Sequence, residues 1–69
     1  MPKATEAALQ TLRMRYKAAY TAYQSCVRAV TEASMSGAPL PKELLANEAK
    51  ALRELTEARG YLLAAMAEG

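Results

Sequence analysis

One short stretch governs what this chain can fold into: Ser36-Gly37-Ala38-Pro39-Leu40-Pro41, near the middle of 69 residues. Gly37 can take the left-handed backbone conformation that ends a helix. Pro39 lacks the N–H that a helix interior needs. Pro41 suits the first position of a new helix, where its missing donor costs nothing. Glu43, in that first turn, favours the positive end of the helix dipole. On both sides of this break the sequence is dominated by Ala, Leu, Glu and Arg, all strong helix formers. The few β-branched residues are scattered and never alternate, so no strand is expected. The reading is all-α: helix, tight turn, helix, with the first helix over about 4–35, the turn at 36–41 and the second helix over about 41–67. A turn this short brings the helices back antiparallel, and the whole chain, 1–69, is read as one helical-hairpin domain.

The first helix carries large residues at helical spacing: Leu9, Leu12, Tyr16, Tyr20, Tyr23, Val27 and Val30. Their steps of three and four place them on one face. A flank of small residues (Ala8, Ala18, Ala22, Cys26, Ala29, Ala33) runs beside this stripe. The second helix carries Leu44, Leu45, Leu52, Leu55, Leu62, Leu63 and Met66, with Ala51, Ala58 and Ala65 on a flank. Gly60 within that helix costs roughly 1 kcal/mol against Ala and reads either as a point of close contact or as a site where the helix bends or frays. Outward-facing i,i+4 pairs are expected at Arg28–Glu32, Lys50–Glu54 and Arg53–Glu57, each worth only a few tenths of a kcal/mol.

Two such stripes are wider than one hairpin can hide. A chain this small buries about 60% of the surface its unfolded form exposes, and usually needs a staple. One cysteine, Cys26, excludes an intramolecular disulfide. With no His and a single Cys, the usual four-ligand zinc sites are excluded too. Association is therefore expected, with two hairpins pairing as a homodimeric four-helix bundle. In outline this resembles the small dimeric hairpin regulators of the Rop-like four-helix bundles; the resemblance is one of shape and implies no site residue. The expected interface, with itself or with another protein, comprises Leu9, Leu12, Tyr16, Tyr20, Tyr23, Val27, Val30, Leu45, Glu48, Leu52, Leu55, Arg59, Leu62 and Met66. Glu48 and Arg59 stand out because they interrupt the leucine stripe three turns apart. If the second helix meets its own copy antiparallel about an axis near Arg53–Glu54, Glu48 of one chain faces Arg59 of the other. Within the hairpin, Arg59 could instead meet the Tyr16 or Tyr20 hydroxyl, or both charges could reach the rim.

The net charge of +2 excludes little, but its distribution is uneven. Up to Ser36 there are five basic and two acidic residues; beyond it, four and five. Arg13, Lys17 and Arg28 next to three tyrosines form a candidate nucleic-acid surface, since aromatics stack bases and cations hold phosphates. With neither His nor Asp and no glycine-rich phosphate loop, no catalytic, cofactor-binding or metal site is expected. Cys26 has no neighbouring base and reads as a packing residue. No apolar run of about 18 residues is present to cross a membrane, no signal-peptide pattern opens the chain, and an unpaired cysteine suits a reducing compartment. The expectation is a cytoplasmic, non-enzymatic adaptor or regulator, with a dimeric nucleic-acid binder or a small subunit of a larger assembly as alternatives.

Overall fold

The structure, a computed structural model, describes residues 5–68. It is a two-helix hairpin, with α1 spanning Glu6–Met35 and α2 spanning Lys42–Glu68. Among the described residues there is no strand. The Cα atoms extend over 53 × 15 × 14 Å, the proportions of two long rods lying side by side.

Thr5 starts α1. Its backbone is extended, at φ −72° and ψ 159°, and the Ala8 N–H donates to its Oγ1 at 3.0 Å. That bond satisfies one of the donors every helix start leaves unpaired. The expected start at Ala4 lies outside the described residues. At the other end, the Ser36 N–H donates to the Glu32 and Ala33 carbonyls, at 3.1 and 3.3 Å. The Ser36 hydroxyl also donates to the Ala33 carbonyl, at 2.8 Å. Gly37 then swings to φ 78° and the helix stops. The expected role of Gly37 is thus realised.

Pro41 sits one residue earlier than expected. It precedes α2 rather than opening it, and its carbonyl accepts from the Leu44 N–H at 3.1 Å. A proline can do this because the cap position uses only its carbonyl.

α2 continues through Gly60 without interruption. A Cβ built there would meet nothing within 4 Å, so Gly60 marks neither a close contact nor a break. Of the ion pairs expected along the helices, none is closed. The pair formed among the described residues is Arg13–Glu6, at 2.8 Å and seven residues apart.

The helices meet along a line of half-buried and buried positions: Leu9, Leu12, Tyr16, Ala19, Tyr23, Cys26, Val30 and Ala33 on α1, and Leu44, Glu48, Ala51, Leu55, Ala58, Leu62 and Ala65 on α2. Steps alternate between three and four without a fault. That is the seven-residue period of a coiled-coil seam.

The seam corrects the sequence reading of α2. The buried residues are Ala58 at 1% exposure and Ala51 and Leu62 at 6%. Two of these three belong to the alanine flank, not the leucine stripe. Leu45, Leu52, Leu63 and Met66 remain 44–50% exposed. Small side chains let two backbones approach closely, so Ala51, Ala58 and Ala65 close the hairpin together with Leu44, Leu55 and Leu62, while Leu45, Leu52 and Leu63 stay outside it. On α1, Tyr20 is likewise left 49% exposed.

Candidate interaction surface

The seam is asymmetric. Every seventh position from Tyr16 on α1 is large (Tyr16, Tyr23, Val30), and the alternating set from Ala19 is small (Ala19, Cys26, Ala33). On α2 Leu55 and Leu62 alternate with Ala51, Ala58 and Ala65 in the same way. The two large sets face one edge of the hairpin. Leu62 lines a shallow hollow together with Arg13, Tyr16, Lys17 and Tyr20. The small sets face the other edge, where Ala58 lines a second hollow with Arg15, Ala18, Ala19, Ala22, Glu54 and Glu57. The Arg15 guanidinium lies over the Tyr61 ring, 5.5 Å from its centre. This cation–π contact ties the two helices on the alanine edge.

The apolar character of the large edge runs past the seam and out to the surface. On α2 it continues through Leu45, Ala49, Leu52, Thr56, Arg59, Leu63 and Met66. These residues repeat the alternating steps of four and three, one position further round the helix. They form a second seam, built like the first, with no element of the hairpin across from it. Tyr20 and Val27 extend the same edge on α1; Val27 is half-buried. A larger hollow on this edge is lined by Tyr20, Tyr23, Gln24, Val27, Arg28, Thr31 and Glu32.

The area confirms that the hairpin is under-buried. It exposes 5372 Å², where a compact protein of 7.4 kDa would expose about 4200 Å². Scattered exposed apolar residues need no explanation; here Leu45, Leu52, Leu63 and Met66 recur at coiled-coil spacing, with Thr56 and Arg59 between them.

The interface residues expected from sequence divide into two groups. Leu9, Leu12, Tyr16, Tyr23, Val30, Leu55 and Leu62 lie in the hairpin's own seam, with Val27 half-buried at its rim. Tyr20, Leu45, Leu52 and Met66 lie on the open ridge. Glu48 and Arg59 also separate: Glu48 is half-buried in the seam, and Arg59 is exposed on the ridge. Among the described residues neither closes an ion pair. Arg59 makes no hydrogen bond to Tyr16 or Tyr20, so that intrachain alternative is not realised.

The proposed cationic residues are partly gathered. Arg13 and Lys17 flank Tyr20 in one hollow, and Arg28 shares the adjoining one. Both have acidic company: Glu6 holds Arg13, and Glu32 lines the hollow of Arg28. Among the described residues no group of three or more Cys or Glu gathers as a metal site, and no helix is long and apolar enough to cross a membrane. Cys26 is a free, half-buried thiol in the seam.

The sequence reading missed the N-cap at Thr5 and the Arg15–Tyr61 contact. Thr5 was legible as a capping residue ahead of an acidic first turn. The second contact joins residues far apart in sequence, and no local signal announces it. In comparisons with known families, curated proteins and solved structures, no match to this chain was found.

Proposed function

We propose that this chain is a non-enzymatic interaction module: a helical hairpin that pairs with a second copy through its open ridge to make a four-helix bundle, and presents its outer polar faces to another protein as an adaptor or regulator. One observation carries the reading. The ridge of Leu45, Leu52, Leu63 and Met66 has the spacing of a packed seam, yet is 44–50% exposed. Stable interfaces bury about 800 Å² on each partner, an area the excess exposure of this hairpin can supply. Cyclic two-fold pairs are the commonest way a surface covers itself.

Sedimentation equilibrium over a wide concentration range, under reducing conditions, tests the pairing. The expected result is a dimer that Leu52→Asn and Leu63→Asn together convert to monomer without loss of helix in the monomer at high concentration. A folded wild-type monomer at every concentration refutes self-pairing. The ridge would then belong to a different protein, as in the small-subunit alternative.

A nucleic-acid-binding reading is supported by the placement of Arg13, Lys17 and Arg28 around Tyr20 on one edge. Its signature is affinity that falls steeply with salt and is lost in the triple alanine variant Arg13→Ala, Lys17→Ala, Arg28→Ala. The partial neutralisation by Glu6 and Glu32 favours the protein-interaction reading. So does the position of Tyr20, which cannot pack in a bundle and stack on bases at once.

A further inference from the structure

The pairing just proposed leaves the orientation of the two hairpins open. Charge and register decide it. Residues equidistant in sequence from the turn share a level along the hairpin: Ala19 with Ala58, Cys26 with Ala51, Val30 with Glu48. The contact of Arg15 with Tyr61 fits that register. On the open edge Lys17 and Arg59 share a level at the end remote from the turn, with Arg13, paired to Glu6, a turn beyond, while Arg28 lies nearer the turn beside Glu32. Glu48 lies nearer the turn, on the side of the seam that borders the ridge.

Two layers of helices stacked face to face allow two kinds of two-fold axis. An axis along the helices sets like ends together, and brings Arg13, Lys17 and Arg59 against their own copies. An axis across the helices sets the cationic end of one hairpin on the turn end of the other. Charges of one sign repel, and the cost grows when they are drawn out of water.

The geometry points to the second arrangement: α2 stacks antiparallel on its own copy about an axis beside Glu54, so that Arg59 lies across Ala49 and reaches Glu48 of the partner subunit, twice in the dimer. The steric fit is independent of the charges. In this register the open seam pairs Leu45 with the partner's Leu63, Leu52 with the partner's Thr56, and the long Arg59 with the partner's small Ala49. Each of these three layers sets a large residue against a small one or joins two leucines of similar bulk. A shift of one turn would set Arg59 against the partner's Leu45 or Leu52 and would lose the carboxylate. Glu48 and Arg59 thereby act as a register lock, a role for which polar residues in a coiled-coil core are well suited. The level of the axis corresponds to Tyr23 on α1, which places the two Tyr23 side chains nearest each other.

This inference rests on the self-pairing proposed above, and two measurements separate them. In a Cys26→Ala background, Leu45→Cys and Leu63→Cys are introduced singly and together, and each protein is treated with a short bis-maleimide. Within one chain the two positions are about 27 Å apart along α2, beyond the reach of the linker. The expected result is covalent dimer from the double variant and none from either single variant. Linkage of a single variant places like positions together and overturns the antiparallel arrangement. If sedimentation gives a dimer and no variant links, the register is wrong while the pairing stands. If sedimentation gives a folded monomer, both fail. The charges are tested separately. Arg59→Glu is expected to weaken the dimer about tenfold or more, and Glu48→Arg with Arg59→Glu in the same chain to restore it. An unrestored double variant overturns the lock.

Discussion

Replacing Ala58 with leucine probes the central packing claim, that small residues on α2 set how closely the two helices approach. Ala58 is 1% exposed and lines the same hollow as Ala18, Ala19 and Ala22. Leucine adds three carbons at a position that is 1% exposed, in a shallow hollow walled by the small side chains of α1. Alanine and leucine have nearly equal helix propensity, so a change in stability reports packing and little else. Overpacking of a filled seam costs about 1–3 kcal/mol. For a domain of this size each kcal/mol moves Tm by about 4–8 °C. Ala58→Leu should therefore lower Tm by about 4–24 °C, centred near 12 °C. Thermal unfolding followed by far-ultraviolet circular dichroism is the assay. Wild type and variant must be compared at one protein concentration, because association makes Tm concentration-dependent. Ala58 faces away from the open ridge, so the loss should persist in a background that cannot dimerise. An unchanged or raised Tm would mean that Ala58 is not closely packed against α1, and that close approach does not decide the seam.

Other substitutions carry smaller, signed expectations. Gly60→Ala should stabilise α2 by about 0.5–1 kcal/mol, read as a rise in Tm, because the site is helical and a Cβ there meets nothing within 4 Å. Gly37→Ala should destabilise by about 1–2 kcal/mol in urea unfolding, since φ 78° is strained for any residue with a Cβ. Thr5→Ala should cost about 1 kcal/mol through loss of the bond from the Ala8 N–H, with amide exchange at Ala8 quickening first. Glu6→Gln, which breaks the exposed pair with Arg13, should shift stability by no more than a few tenths of a kcal/mol. A larger loss would show that this pair does more than a surface ion pair can.

The second seam also explains why α2 looks over-endowed with leucine. A hairpin closed by alanines has a narrow core, and Leu62 alone among the large side chains of α2 is buried. The exposed leucines, Leu45, Leu52 and Leu63, add little to the stability of a single hairpin. Their spacing is what the proposed pairing with a further layer of helix would use.

Much of the architecture was legible in the residues themselves. Gly37 and the two prolines near it break any helix, and helix formers fill both sides, so two helices and a tight turn follow from local chemistry. The helix ends were located to within a residue or two, because caps and prolines act over only a few positions. What periodicity could not decide was which of two neighbouring stripes on α2 meets α1. Ala51-Ala58-Ala65 and Leu45-Leu52-Met66 have the same period and lie one position apart around the helix, so both satisfy the same pattern. Apolar bulk favours the leucines when residues are weighed singly. Tertiary packing weighs pairs: Ala58 can be buried only because Ala19 is equally small at the same level, and that match joins residues on opposite sides of the turn. The separation of Glu48 into the seam and Arg59 onto the ridge follows from that choice of stripe. The sequence by itself therefore determined the helices, the turn and the excess of apolar surface, all consequences of local backbone preference and composition. Only the tertiary structure decided which apolar residues the hairpin hides and which it leaves open, because close packing depends on the sizes of side chains brought together from both helices.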